Sequence, residues 1–260
     1  MSKRLNQLIQ RKKENDEKNL SIFVTAGFPE KDATEEIIIQ LAHAGADFIE
    51  LGIPFSDPVA DGPVIQQASQ KALENGISLR DIIMIIEKIR KTTDIPIILM
   101  GYLNPVFQYG IEKFFKDASR AGADGFILPD WPIEESGRYK ELLQSLDLDL
   151  IHLIAPNTAE IRIKEIDEIS TSFVYCVAYT GVTGRAKRNE SSQYFLKKLN
   201  KLLKKPHLIG FGVKTREDFE YYGHFADGVI IGSAFINLLS ETPKRDRMVM
   251  INRFIRDIIN

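Results

Sequence analysis

An α/β fold, a single (β/α)8 TIM barrel over residues 1–260 with extra N-terminal and C-terminal helices, is the architecture this sequence predicts. Three observations carry it. Short apolar runs rich in β-branched and aromatic residues alternate eight times with segments of helical periodicity, the signature of parallel βαβ units covered on both faces. A weak repeat precedes three of those runs: Ala42-His43-Ala44-Gly45-Ala46-Asp47, Ser119-Arg120-Ala121-Gly122-Ala123-Asp124 and Phe225-Ala226-Asp227-Gly228. Its glycines and small residues suit the left-handed end of a helix and a tight return into the sheet. Finally, no linker, low-complexity stretch or composition shift divides the chain. An open doubly wound sheet is the structural alternative. The glycine-rich strand ends come late, not after the first strand, which disfavours a dinucleotide-binding fold.

The elements follow in order. Residues 3–17 form an expected helix ahead of the sheet, and the mixed-sign run 11–18 reads as its solvated face or end. Strands are expected at 21–25, 48–51, 96–100, 125–128, 150–154, 173–177, 207–210 and 228–231. Helices are expected at 32–44, 79–91, 111–121, 133–146, 158–169, 191–203 and 215–222, with a last barrel helix after the eighth strand. Residues 243–259 add a terminal helix whose Ile251, Phe254, Ile255 and Ile258 share one face, most simply packed on the barrel.

The bulk numbers exclude several classes. A formal net charge of −2 over 260 residues leaves no electrostatic footprint for nucleic acid. No apolar core of a signal peptide follows Met1, and no run is apolar enough to span a bilayer. The lone Cys176 cannot form an internal disulfide and reads as a small core residue, so a soluble, reducing, cytoplasmic setting is expected. The four histidines, His43, His152, His207 and His224, are scattered, and no metal site is expected.

Chemistry concentrates in Ile49-Glu50-Leu51-Gly52-Ile53-Pro54-Phe55-Ser56-Asp57-Pro58-Val59-Ala60-Asp61-Gly62-Pro63. Alternation puts Ile49 and Leu51 on the helix-facing side of a strand and Glu50 inside the barrel, near its catalytic end. A buried, unpaired carboxylate shifts its pKa upward, which suits proton transfer at neutral pH. A structural glutamate with a buried partner is the competing reading. Asp61 ends a loop rich in Pro, Asp and Gly, where an Asp before Gly is equally ordinary turn chemistry. Tyr175 shares parity with Phe173 and Val177, so it is either an inward site residue or core. Asp130 ends the fourth strand and either reaches the mouth or caps a loop, and Asn104-Pro105 reads as a turn.

Three Gly-containing stretches follow the last three strands: Gly181-Val182-Thr183-Gly184, Gly210-Phe211-Gly212-Val213 and Ile231-Gly232-Ser233-Ala234. In a parallel barrel these loops share the C-terminal face, where backbone N–H groups and a helix N-terminus hold phosphate. Ser233 is placed to cap the following helix and to donate its hydroxyl. The expected substrate is a phosphorylated small molecule.

These residues bring the chain to a family. The run 48–66 closely resembles the hallmark segment of tryptophan synthase α subunits. So do Gly101-Tyr102-Leu103-Asn104-Pro105-Val106-Phe107-Gln108-Tyr109-Gly110, Leu128-Pro129-Asp130-Trp131-Pro132-Ile133-Glu134-Glu135, the run 181–184 and the run 210–212. The resemblance runs from about Leu20 to Leu239. It implies retro-aldol cleavage of indole-3-glycerol phosphate to indole and glyceraldehyde 3-phosphate. Glu50 matches the family's acid/base, and Asp61 the carboxylate that bonds the indole N–H. Tyr175, Thr183, Gly184, Gly212, Gly232 and Ser233 match substrate-binding positions, with Thr183 in a lid that contacts Asp61 on closure. Pro54 and Asp57 match an outward interface with a β subunit in an αββα heterotetramer. Pyridoxal phosphate is implied in that partner, and no cofactor in this chain. Phe28, Ala178-Tyr179-Thr180 and Trp131 depart from the family's usual residues, and the departure at Ala178-Tyr179-Thr180 bears on lid closure and signalling to the partner. A non-catalytic, phosphate-binding regulatory barrel and another sugar-phosphate barrel isomerase are the rival readings. The synthase that makes indole-3-glycerol phosphate is disfavoured, because its strand-borne Lys with a paired Glu is missing.

Overall fold

The computed structural model describes residues 1–177, 190–210 and 212–260. Their strands are β1 (Asn19–Thr25), β2 (Phe48–Gly52), β3 (Ile97–Met100), β4 (Gly125–Ile127), β5 (Asp149–Ile151), β6 (Leu153–Ile154), β7 (Val174–Val177), β8 (His207–Gly210) and β9 (Gly228–Ile231). All paired strands are parallel, in the order β5-β4-β3-β2-β1-β9-β8-β7-β6. The two ends of that order are halves of one stretch, separated by His152 alone, so the sheet curls into a barrel with eight strand positions. The sequence reads one continuous fifth strand there. The backbone instead splits it: β5 pairs with β4 and β6 with β7, while the His152 N–H turns to the Ser170 hydroxyl at 3.3 Å.

Phe48 and Phe173 meet across the barrel with ring centroids 5.7 Å apart, which fixes the inward parity of β2. Glu50 therefore faces inward, and Ile49 and Leu51 pack outward on the helices. Parallel register carries this parity round the sheet. Phe23 stands beside Glu50, and Glu50 beside Ile98.

The helices bury one apolar face each, at about 1.5–3 kcal/mol per fully buried large side chain. α2 (Thr34–Ala44) buries Ile37, Ile38 and Leu41, and α4 (Leu79–Ile89) buries Ile82, Ile83, Ile86 and Ile89. α6 (Ile111–Ala121) sets Phe114 and Phe115 against Phe126, and Trp131 joins that cluster 5.9 Å from Phe115. The tryptophan that departs from the family pattern is thus a core residue. α13 (Arg247–Ile259) buries Ile251, Ile255 and Ile258 and stacks Phe254 on Phe235 of α12 (Ser233–Glu241). Two helices were not read from the sequence: α3 (Pro63–Glu74) and α5 (Leu103–Tyr109). Asn104-Pro105 lies in the first turn of α5, where proline's missing N–H costs nothing, and not in a turn. The expected helix at 133–146 is broken into α7 (Ile133–Ser136), a 3-10 turn and α8 (Lys140–Ser145).

The weak repeat has a physical cause at the N-terminal end of the barrel. Each of its aspartates reaches the first N–H groups of a neighbouring strand: Asp47 accepts from Leu20 (2.8 Å), Asp124 from Ile97 (2.8 Å) and Asp227 from His207 (2.9 Å). Gly45 and Gly122, at φ 107° and 98°, supply the left-handed helix ends before them. α1 (Lys3–Glu14) packs on this end through Leu5 and Ile9. Its N-cap Ser2 donates its backbone N–H to Asp149 and its hydroxyl to Asp124.

Candidate active site

The opposite end of the barrel holds the carboxylates that the sequence singles out. Glu50 is fully buried in the middle of β2, which runs on to Gly52, and not at the strand's end as the sequence suggests. Neither of its carboxylate oxygens has a hydrogen-bond partner among the described residues. Burial alone pushes its pKa up to about 8, so it carries a proton at neutral pH. The competing reading, a structural glutamate satisfied by a buried partner, finds no such partner among the described residues.

Asp61 reaches the same mouth from the loop between β2 and α3. Burial raises its pKa to about 6, against the lowering effect of a hydrogen bond from Tyr102. Its N–H also closes a turn onto the Pro58 carbonyl at 3.0 Å, so the turn reading and the inward reading both hold. A narrow cleft opens at this mouth, lined by Phe23, Gly52, Ile53, Asp61, Met100 and Tyr102 among others.

Tyr175 is buried and faces inward from β7. Burial first, then the charges of Glu50 and Asp61, push its phenol well up, which places all three in one electrostatic neighbourhood. Its ring lies over Gly210, where a Cβ would fall 2.0 Å from the hydroxyl. Gly210 therefore answers to Tyr175. Gly52 likewise makes room for the Phe23 ring, which a Cβ would meet at 2.4 Å.

The phosphate end is less uniform than the three glycine stretches suggest. Helix α11 (Arg216–Gly223) is already capped: Thr215 and Asp218 form a reciprocal box, and Asp218 also takes the Lys214 N–H. Its N-terminus carries its own anion. Helix α12 starts at Ser233 with no side-chain cap, and Gly232 occupies the N-cap position. Ser233 is thus the first helical residue, a correction to its reading as the cap. Its hydroxyl is free of that duty, and the half-buried first turn of α12 is left open to an anion. Gly232 lies beside Phe23, itself paired with Glu50, so this helix end is two strands from the buried carboxyl. Gly212 adopts φ 90°, which only glycine takes without strain. Thr183, Gly184 and Ala178-Tyr179-Thr180 lie outside the described residues.

Of the two expected interface residues, Asp57 is exposed and Pro54 is buried, against the outward reading. Pro54 directly follows Ile53, whose N–H still bonds the Met100 carbonyl at the sheet's end, so it stays covered. Asp130 is resolved as a cap: both its oxygens accept the Leu103 N–H, at 2.9 and 3.1 Å, fixing the start of α5. Sequence reasoning assigned Tyr102 no role. Extending the alternation Ile98, Met100, Tyr102 would have placed it inward. Among the described residues, no group of three or more His, Cys, Asp or Glu side chains can hold a metal, and no helix is long and apolar enough to cross a membrane.

Comparison with known proteins gives a consistent result. Residues 9–256 match a family model described as the tryptophan synthase alpha chain. A tryptophan synthase alpha chain from Christiangramia forsetii is 44% identical over 90% of this chain and 92% of its own length. One from Flavobacterium psychrophilum is 41% identical over 96% and 98%. The solved alpha subunit from Legionella pneumophila str. Paris superposes with a TM-score of 0.91 at 36% identity, covering 99% of this chain and 97% of that one.

Proposed function

The chain belongs to the tryptophan synthase alpha chain family, an enzyme subunit of the lyase type, and from that premise we propose that it cleaves indole-3-glycerol phosphate to indole and glyceraldehyde 3-phosphate. The observation that carries the reading is Glu50, a carboxyl that holds its proton at neutral pH with no partner to spend it on among the described residues. The bond between indole C3 and the glycerol carbon breaks when C3 gains a proton and the adjacent hydroxyl loses one. Glu50 donates the first proton and, as the carboxylate, takes the second, so it ends the cycle protonated. Asp61 accepts the indole N–H and stabilises the positive charge that C3 protonation puts on the ring. Tyr175 closes the inner wall beside both. The N-terminal turn of α12, with Gly232 and Ser233, and Gly212 hold the phosphate through backbone N–H groups. Thr183 and Gly184 complete the site on this reading.

The partner is a β subunit in an αββα assembly, which receives the indole and holds the pyridoxal phosphate. This chain binds no cofactor. Asp57, exposed on the loop that presents Asp61, is the interface residue this reading favours.

The test supplies indole-3-glycerol phosphate to the purified chain, alone and with a β subunit, and follows indole. Release that depends on Glu50 and rises with the partner supports the reading. No release even with the partner points to a binding-only regulatory barrel.

A further inference from the structure

Asp61 sits on an irregular loop, and its aim depends on one neighbouring ring. Tyr102 follows β3, is 4% exposed, and stands on the corner that Asp130 pins through Leu103. Its hydroxyl makes two bonds to the loop. It accepts the Ala60 N–H at 2.9 Å and donates to Asp61 Oδ2 at 3.0 Å. Its ring also packs on Phe55, at the other end of the same loop, 5.4 Å between centroids. The loop is thus held at both ends by one side chain.

The proton count of this contact is restrictive. A phenol has one O–H to give. The Ala60 amide already points its hydrogen at the phenol oxygen, so the phenol's own hydrogen must go to Asp61. If Asp61 Oδ2 carried a proton and donated it back, two hydrogens would converge on the phenol oxygen and the phenol's own would lose its acceptor. A buried polar group left in that state is costly. Oδ2 is therefore kept as an acceptor. It carries the side chain's one hydrogen bond among the described residues, which leaves Oδ1 for the cleft.

We propose that Tyr102 is a positioning and specificity-determining residue: by donating to Oδ2 it favours the Asp61 carboxylate and aims its Oδ1 at the cleft as an acceptor, and so selects ligands that present a donor at that point of the mouth. This deepens the lyase reading, on which the donor is the indole N–H. Among the described residues, the ionisable groups that act on Tyr102 or Tyr175 are Glu50 on β2, Asp61 itself, Cys176 on β7 and Asp130 after β4, all of them acids.

The test has a ligand-free arm and a ligand arm. In the first, the Asp61 carboxyl is titrated by carbon-13 NMR. Tyr102→Phe removes the donor and raises the titration midpoint, by about half a unit or more. Difluorotyrosine placed at 102 keeps the ring and strengthens the donor, and lowers the midpoint. In the second, binding of 3-(indol-3-yl)propyl phosphate is compared with its benzofuran counterpart, which replaces the N–H by oxygen. Wild type prefers the indole compound by roughly 10-fold or more, and Tyr102→Phe cuts that preference severalfold. A merely structural tyrosine would weaken both ligands alike and leave the Asp61 midpoint in place. Unchanged midpoints in both folded variants, with the preference intact, overturn the proposal. If wild type releases no indole while the midpoints still move, the lyase reading fails and the role of Tyr102 stands.

Discussion

Asp124, just before β4, and Glu50, within β2, are both fully buried carboxylates, and they serve opposite ends of the same barrel. Asp124 accepts from the Ser2 hydroxyl (2.5 Å), Arg4 (3.0 Å), Arg90 (2.7 Å) and the Ile97 N–H (2.8 Å). Glu50 accepts from none of the described residues. Burial is therefore not what marks a functional carboxylate here. The difference is satisfaction: one end uses its acids to stitch helices and strands together, and the other leaves them unmatched for a ligand. The pKa direction alone does not separate the two ends. Asp149 at the stitched end and Asp61 at the open end are both raised to about 6 by burial. Asp149 has the Ser2 and Asn6 nitrogens and the Thr171 hydroxyl around it, whereas Asp61 has Tyr102 and a cleft.

The sharpest way to break this contrast is Glu50→Gln, which should act in opposite directions on activity and stability. Indole release should fall by about 10²–10⁴-fold. Stability should rise, with a defined pH dependence. The ordinary value for Glu50 is 4.5 and the folded value is about 8. Between those limits the folded chain holds a proton that the unfolded chain has lost, so wild-type stability falls as pH rises from 4.5 to 8 and levels off above. The glutamine variant lacks that loss. Urea denaturation should show it more stable by roughly 4 kcal/mol at pH 8 and about equal near pH 4.5. A variant less stable than wild type at pH 8 would show that Glu50 is structural.

Asp124→Ala is the mirror experiment. It strands Arg4, Arg90 and the Ile97 N–H, and should cost about 3–5 kcal/mol in urea denaturation. A loss below about 1 kcal/mol would mean that the stitched end does not hold the fold in the way its bonds indicate. At the open end, Ser233→Asp puts a negative charge on the free turn of α12. The Michaelis constant for indole-3-glycerol phosphate should rise by about 10–100-fold with a smaller change in turnover, measured by indole release. No rise would place the phosphate elsewhere. The smallest effect belongs to Asp47→Asn, which weakens the bond to Leu20 and the 2.9 Å pair with Lys12. About 1 kcal/mol of stability should be lost, with indole release intact.

How much of this was readable in advance divides along the same axis. The inward aim of Glu50 was legible because a strand alternates with a period of two residues. So was the amphipathic face of α13, because a helix repeats every 3.6. The aspartates of the weak repeat were visible as a pattern without their purpose, since each one bonds a strand at least 20 residues away. Ser233 was misread as a cap because Gly232, the residue that follows β9, takes that position. Pro54 was misread as outward because loop composition carries no sign of which side is covered.

By itself the sequence determined the parallel barrel, its strand positions to within a residue or two, and the pairing of a strand-borne glutamate with a loop aspartate. Those follow from local periodicity and from the residue types that turns demand. Only the tertiary structure decided which carboxylates are matched and which are not. A hydrogen-bond partner is a property of what the fold brings within 3 Å, and the chain brings Arg90 to Asp124 and, among its described residues, nothing to Glu50. It also decided that Tyr102 governs Asp61, through a contact across 41 residues that no local pattern encodes.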